Sequence, residues 1–202
     1  MGNGVIMSPN SHLYFDGYQG DQSIEPMAAG WLFTPLEKVY AFEPRDPQMS
    51  DQDAQHLLGA QANVWTEYIT TEKYFDYMVY PRMDALAEMT WTPAKQKDFT
   101  GFDDRLKTQL VRYDKMNINY RIPTPSLEVT YGADSVATIS LADRTSNGVI
   151  RYEIDKEEVT NTSPVYDKPF TLKKGSVLRF ATFIPNNRQS STDYFPKKPK
   201  KK

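Results

Sequence analysis

The sequence predicts an α/β unit followed by a small antiparallel β domain, and two observations carry that expectation. Up to about residue 120, short apolar runs that suit buried strands are interleaved with segments of helical period. Beyond Arg121-Ile-Pro-Thr-Pro125 the hydrophobic period falls to two, and the two prolines there make a natural domain boundary. A chain of 202 residues is long enough for one or two domains with a real core.

In order along the chain, Val5 to Met7 reads as a short buried strand, stopped by the turn cluster Ser8-Pro9-Asn10-Ser11. A proline-punctuated loop from Asp16 to Pro47 follows, with one short helix around Thr34 to Val39, where Pro35 suits a first helical turn. Loops of that length in a compact domain are usually functional. Leu57 to Trp65 is a second strand. Thr70 or Thr71 then caps a helix running to Met89, with Tyr74, Met78, Leu86 and Met89 on its core face and a kink at Pro81. Another helix spans Asp104 to Met116. In the second half Leu127/Val129/Tyr131, Ala137/Ile139/Leu141, Ile150/Tyr152/Ile154 and Leu178/Phe180/Ile184 mark strands of a sandwich-type domain. Its aromatics, Tyr131, Tyr152, Tyr166, Phe170 and Phe180, fall mostly on the strand period and read as core. The end of the chain, Lys-Lys-Pro-Lys-Lys-Lys, reads as an unstructured basic tail.

Composition narrows the chemistry. A formal net charge of −2 gives no electrostatic reason to expect nucleic acid as partner. The absence of cysteine excludes disulfides, thiolate metal ligands and thiol catalysis, and two histidines, His12 and His56, leave no histidine-rich metal centre. No metal or cofactor is implied. No apolar run approaches the roughly 20 residues that cross a bilayer, and the first residues lack the basic and apolar regions of a signal peptide.

Two acid-bearing strand ends stand out, Tyr14-Phe-Asp16 and Trp65-Thr-Glu67. Alternate residues of a strand share a face, so Trp65 and Glu67 should project together. Side chains at the carboxyl ends of neighbouring parallel strands converge on one site, which would bring both clusters to a common ligand. An indole or phenol covers the apolar face of a pyranose while carboxylates accept from its hydroxyls. On chemistry alone, Asp16 and Glu67 read either as the acid/base pair of a glycosidase or as packing and turn residues.

Four ordered blocks carry a resemblance: Val5 to Asp16, Thr34 to Tyr40, Gly59-Ala-Gln-Ala-Asn-Val-Trp-Thr-Glu67 and Tyr80-Pro-Arg-Met-Asp-Ala-Leu-Ala-Glu-Met-Thr-Trp91. Together they resemble the last quarter of the catalytic (β/α)8 TIM barrel of glycoside hydrolase family 20, the β-N-acetylhexosaminidases. Leu141 to Phe183, with Gly148-Val-Ile-Arg-Tyr152 and Ser163-Pro-Val-Tyr166, resembles the small β domain that follows the barrel in many bacterial members. The resemblance implies residues 1–122 as about the last two barrel strands and helices, 123–190 as the β-sandwich domain and 191–202 as the tail.

It also implies substrate-assisted hydrolysis of terminal β-linked N-acetylhexosamine, in which the acetamido oxygen of the sugar is the nucleophile. Carried over by motif, Tyr14 donates to the acetamido oxygen and stabilises its developing charge, and Trp65 walls the acetamido pocket. Asp16 and Glu67 hold ring hydroxyls, and Trp31 lines the mouth. The family's catalytic Asp-Glu pair has no counterpart: Asp51, Asp53, Asp103 and Asp104 do not reproduce the motif, and Asp46 has no adjacent Glu. A chain of this kind is expected to bind N-acetylhexosamine-containing glycans, to be inactive alone and to self-associate through its open barrel edges. The full-length enzyme is expected outside the cytoplasm, secreted or periplasmic. A rival reading is a non-catalytic carbohydrate-binding or structural module.

Overall fold

In the computed structural model, which describes residues 2–132 and 135–197, the chain divides between Arg121 and Ile122 into two units, the first of mixed α/β elements and the second, among the described residues, of strands.

The first unit runs β1 (Val5–Met7), α1 (Asn10–Leu13), β2 (Gly17–Tyr18), β3 (Ala29–Phe33), α2 (Leu36–Ala41), α3 (Asp51–Ala54), β4 (Leu57–Ala60), α4 (Glu72–Val79), α5 (Arg82–Trp91), a 3-10 turn at Ala94–Gln96 and α6 (Phe99–Lys115). β1 and β4 are parallel neighbours, with Val5 opposite Leu57 and Ile6 opposite Gly59. Leu58 is therefore bulged out of register and 69 % exposed. Gly59 has φ +142°, which a residue without Cβ adopts freely. The core gathers Leu13, Phe15, Val39 and Ala85, all fully buried, where α2 packs on α5.

Several elements differ from the expectation. The segment from Asp16 to Pro47 is not one loop with a short helix: β2 and β3 form a parallel pair within it, Gly17 opposite Ala29, and α2 supplies the helix. Gly17 is needed there because a Cβ would lie 2.6 Å from the Leu32 Cβ. The second strand ends at Ala60, and only an isolated bridge between Tyr14 and Asn63 continues it. The helix expected from Thr70 or Thr71 to Met89 is two helices. Thr71 caps α4 by accepting from the Tyr74 N–H at 3.1 Å, and Pro81 separates α4 from α5, since the proline nitrogen has no hydrogen to continue the helical ladder. α6 begins five residues before Asp104, because Phe99 and Phe102 pack on Tyr40 with ring centroids 5.4 and 4.8 Å away and draw that turn into the helix.

The second unit runs β5 (Ser126–Tyr131), β6 (Ala137–Ala142), β7 (Val149–Ile154), β8 (Phe170–Leu172), β9 (Leu178–Ile184), β10 (Arg188–Gln189) and β11 (Asp193–Phe195). One antiparallel sheet has the order β5-β6-β8; in the other, β9 pairs with β7, β10 and β11. Ile139 and Leu141 from the first sheet and Ile150, Leu178 and Phe180 from the second belong to one buried cluster, the period-two positions read from the sequence. Tyr152 stacks on Phe170 at 5.0 Å beside it. Tyr131 is the exception: it is 65 % exposed at the end of β5 and does not belong to this core. Part of the tail expected from residue 191 is strand: Asp193, Tyr194 and Phe195 pair with Phe180, Arg179 and Leu178. From residue 198 the lysine-rich end lies outside the described residues.

Candidate functional site

Parallel pairing places the two strand ends side by side. After α1 interrupts the ladder, the Phe15 N–H donates to Asn63 O at 2.7 Å and the Asn63 N–H to Leu13 O at 2.9 Å. This zips Leu13-Tyr14-Phe15 to Asn63. Leu13 and Phe15 turn into the core and Tyr14, between them, is only half-buried. Two residues beyond Asn63 comes Trp65. The Tyr14 and Trp65 rings stand 6.5 Å apart at 48°, and Trp65 is 53 % exposed.

Asp16 lies at the base of this aromatic pair and is buried, and its Oδ1 has no hydrogen-bond partner among the described residues. Burial pushes its carboxyl up from the usual range. The backbone N–H groups of Asp16 and Trp65 oppose that shift, the Glu67 charge adds to it and the Arg82 charge counters it. The structure thus brings Tyr14, Asp16, Trp65 and Glu67 together. Glu67 is exposed, so the cluster has a buried acceptor at its base and an open, charged rim. Trp31 lies on β3 and is 74 % exposed; among the described residues its ring makes no aromatic contact with Tyr14 or Trp65.

Beneath the cluster sits a group the sequence reading passed over. Arg82 is completely buried, at the start of α5, with its guanidinium 4.7 Å from the Phe15 ring centroid. It donates to Thr34 O at 2.9 Å, to Gly17 O at 3.3 Å, to Phe15 O, and to Met78 O at the C-terminal end of α4. The carbonyls on both sides of Asp16 are thereby held by one side chain. Burial and the nearby Arg121 cation push the guanidinium's pKa down, while Asp16 and Glu25 favour its charge. Arg121 is itself paired with Glu25 at 2.5 Å, and Tyr77 Oη donates to the other Glu25 oxygen at 2.5 Å. Glu25 is thus in direct contact with Arg121, whereas Asp16 bears on Arg82 only through space. The sequence did hold a signal: Arg82 stands at i, with the buried Ala85, Leu86 and Met89 at i+3, i+4 and i+7. A cation on an apolar helix stripe must find internal partners.

Among the described residues no cluster of three or more His, Asp or Glu side chains is placed to hold a metal ion. What the cluster can do chemically is clamp a polyhydroxylated ring, aromatic faces against its C–H surface and carboxylates on its hydroxyls.

Sequence comparison gives the class to which this arrangement belongs. Residues 1–94 match the glycosyl hydrolase family 20 catalytic domain, and residues 129–194 match the chitobiase/beta-hexosaminidase C-terminal domain. The chain belongs to glycoside hydrolase family 20. It is 40 % identical over 195 residues to a beta-hexosaminidase of Porphyromonas gingivalis, covering 94 % of this chain and 25 % of that protein. A beta-hexosaminidase of Vibrio furnissii is 36 % identical over 85 residues, 41 % of this chain and 14 % of that one. The chain thus spans a quarter or less of the length of these relatives. Among solved structures, the family 20 exo-β-N-acetylglucosaminidase of Vibrio harveyi in complex with N-acetylglucosamine matches with a TM-score of 0.54 and 34 % identity, over 57 % of this chain and 18 % of that one. The family 20 β-N-acetylhexosaminidase of Streptomyces coelicolor matches with a TM-score of 0.51 and 27 % identity, over 58 % and 23 %.

Proposed function

We propose that this chain is the sugar-holding part of a β-N-acetylhexosaminidase, comprising about the last two strands and helices of a TIM barrel and a sandwich-type β domain. The observation that carries the reading is the buried, unpartnered Asp16 Oδ1, on a carboxyl that the Trp65 backbone N–H reaches, next in the chain but one to Tyr14. A buried acceptor with no donor is costly unless a ligand supplies one, and a ring hydroxyl does so.

In this reading Trp65 walls the pocket for the acetamido group, and Tyr14 donates its hydroxyl to the acetamido oxygen as that oxygen attacks the anomeric carbon. That contact holds the oxygen in line with the anomeric carbon, whose bond to the leaving oxygen breaks as the oxazolinium ring closes. Asp16 and Glu67 fix the ring through hydroxyls on its far side, and Trp31 lines the mouth. None of these residues protonates the leaving oxygen, and the chain contains no Asp-Glu dipeptide. We expect the pure chain to leave 4-nitrophenyl N-acetyl-β-glucosaminide intact; release of 4-nitrophenolate that co-purifies with the protein and disappears in a Tyr14→Phe variant would show that the proton donor is present after all.

The substrates proposed for the whole enzyme are glycans ending in β-linked N-acetylhexosamine, met outside the cytoplasm. No helix among the described residues is long and apolar enough to cross a membrane. The parallel pair β1–β4 leaves Val5, Ile6 and Leu58 46, 54 and 69 % exposed. Such apolar strand surface favours self-association of the isolated chain. Light scattering after size exclusion should return a mass above 23.2 kDa; a monomer at every concentration rejects self-association and leaves the sugar-site reading untouched.

A further inference from the structure

A concavity in the second unit lies far in sequence from the Tyr14–Trp65 cluster, and nothing above assigns it. It has a volume of about 670 Å³, within the span of ligand pockets, roughly 300–1,000 Å³. Its floor is the face of β7 and β9 turned away from the buried cluster. Val149 and Phe183, directly opposite each other in the ladder, supply apolar surface there.

Four neutral amides converge on this floor: Asn147 before β7, Asn161 from the segment after it, Asn187 in the turn between β9 and β10, and Gln189 on β10. None of the four side chains has a hydrogen-bond partner among the described residues, although a primary amide offers two donors and an acceptor. Other polar side chains close by are engaged: the Arg151 guanidinium at the same cavity donates to Ser163 O at 2.6 Å, and Ser163 Oγ to Glu153 at 2.9 Å. Glu157 and Glu158 line another side and make that rim acidic.

We propose that this cavity is a second saccharide-binding site, selective for neutral, hydroxyl-rich or N-acetylated sugars. A sugar hydroxyl both donates and accepts, and amides are the side chains that answer in kind without a fixed charge. The Phe183–Val149 floor takes the apolar face of a ring, and the carboxylates of Glu157 and Glu158 accept from further hydroxyls while repelling anionic glycans. With a single aromatic ring and no cage of them, the cavity is not built for an ammonium group. The site is independent of the catalytic reading, because it shares no residue with Tyr14, Asp16, Trp65 or Glu67. Its role would be to hold a glycan to the protein while another part of it is processed, raising the local concentration of the reacting end.

Amide NMR of the full 202-residue chain tests this, with N,N'-diacetylchitobiose, cellobiose and 3'-sialyllactose as probes. Saturable shifts from a neutral disaccharide should fall on residues around Val149, Asn161, Phe183 and Gln189 and should persist in a Trp65→Ala variant. Asn161→Ala and Gln189→Ala, both at exposed positions, should each weaken that binding by roughly tenfold, the factor of one good hydrogen-bonding contact, while the rest of the spectrum stays in place. The sialylated sugar should bind less tightly than the neutral ones. Absence of saturable shifts at the cavity, shifts unchanged in both amide variants, or tighter binding of the anionic sugar would each overturn the assignment. Loss of binding only in Trp65→Ala would instead move the ligand to the first unit.

Discussion

Arg82→Met is expected to destabilise the first unit by about 3–5 kcal/mol, the cost of breaking a buried ionic arrangement by removing one partner. Methionine fills a comparable volume but supplies no donors. The carbonyls of Phe15, Gly17 and Thr34 and the end of α4 at Met78 lose the group that satisfies them, and Asp16 and Glu25 face Arg121 alone. Arg82→Lys should recover little, because one ammonium cannot reach the Phe15, Gly17, Thr34 and Met78 carbonyls at once. Urea unfolding followed by tryptophan fluorescence reads this directly, Trp31, Trp65 and Trp91 all lying in the first unit. An unfolding free energy within about 0.5 kcal/mol of the parent's, the range of ordinary surface substitutions, would show that the carbonyls find other donors and that Arg82 does not organise the site.

The two buried carboxylates should respond in opposite ways to amidation. Glu25 is in direct contact with Arg121 through both oxygens, with its side chain 2 % exposed, and also accepts from Tyr77. Glu25→Gln removes the carboxylate in direct contact with the buried Arg121 guanidinium, and we expect a loss of about 3–5 kcal/mol. Asp16 has no ion pair and an unpartnered oxygen, and its folded-state pKa is raised, chiefly by burial. A raised carboxyl pKa contributes stability that is full below the unfolded value and is lost as pH climbs through the folded one. Ionised Asp16 therefore detracts from stability at neutral pH. Asp16→Asn should raise the melting temperature at pH 7, with the gap over the parent closing as the pH falls below the ordinary value of 3.8, and should abolish sugar binding at Tyr14–Trp65. Thermal melts across pH settle both: a strongly destabilised Asp16→Asn would mean that Asp16 is needed as the counter-ion of Arg82, and a neutral Glu25→Gln would mean that Arg121 is solvated.

How far the sequence led can be traced through particular residues. The period-two positions of the second unit were legible because a strand with one buried face repeats every second residue, and Ile139, Leu141, Leu178 and Phe180 do so. Tyr14, Asp16, Trp65 and Glu67 were legible as neighbours because the parallel β1 and β4 lead out side by side, although the strands themselves stop short, at Met7 and Ala60. The β2–β3 pair was not, since two residues at Gly17–Tyr18 leave no periodicity to read. Nor was the split of the helix at Pro81, where the choice between a kink and a break rests on tertiary contacts. Arg82 escaped because a charge on an apolar stripe is read as an exception to the helix rather than as its anchor. Asn161, Asn187 and Gln189 are scattered over loops and a two-residue strand, and only the folded chain shows that they share a cavity.

β11 has a practical consequence. Pairing of Asp193–Phe195 with Leu178, Arg179 and Phe180 covers one side of the strand that carries the centre of the second core. Cutting the chain at residue 190, where the sequence suggests that folded structure ends, would strip those hydrogen bonds and bare a flat, apolar edge ready to recruit a strand from another molecule. Trimming for crystallisation or fusion should therefore stop beyond Lys197, and a preparation clipped by protease before Asp193 should precipitate rather than tidy up.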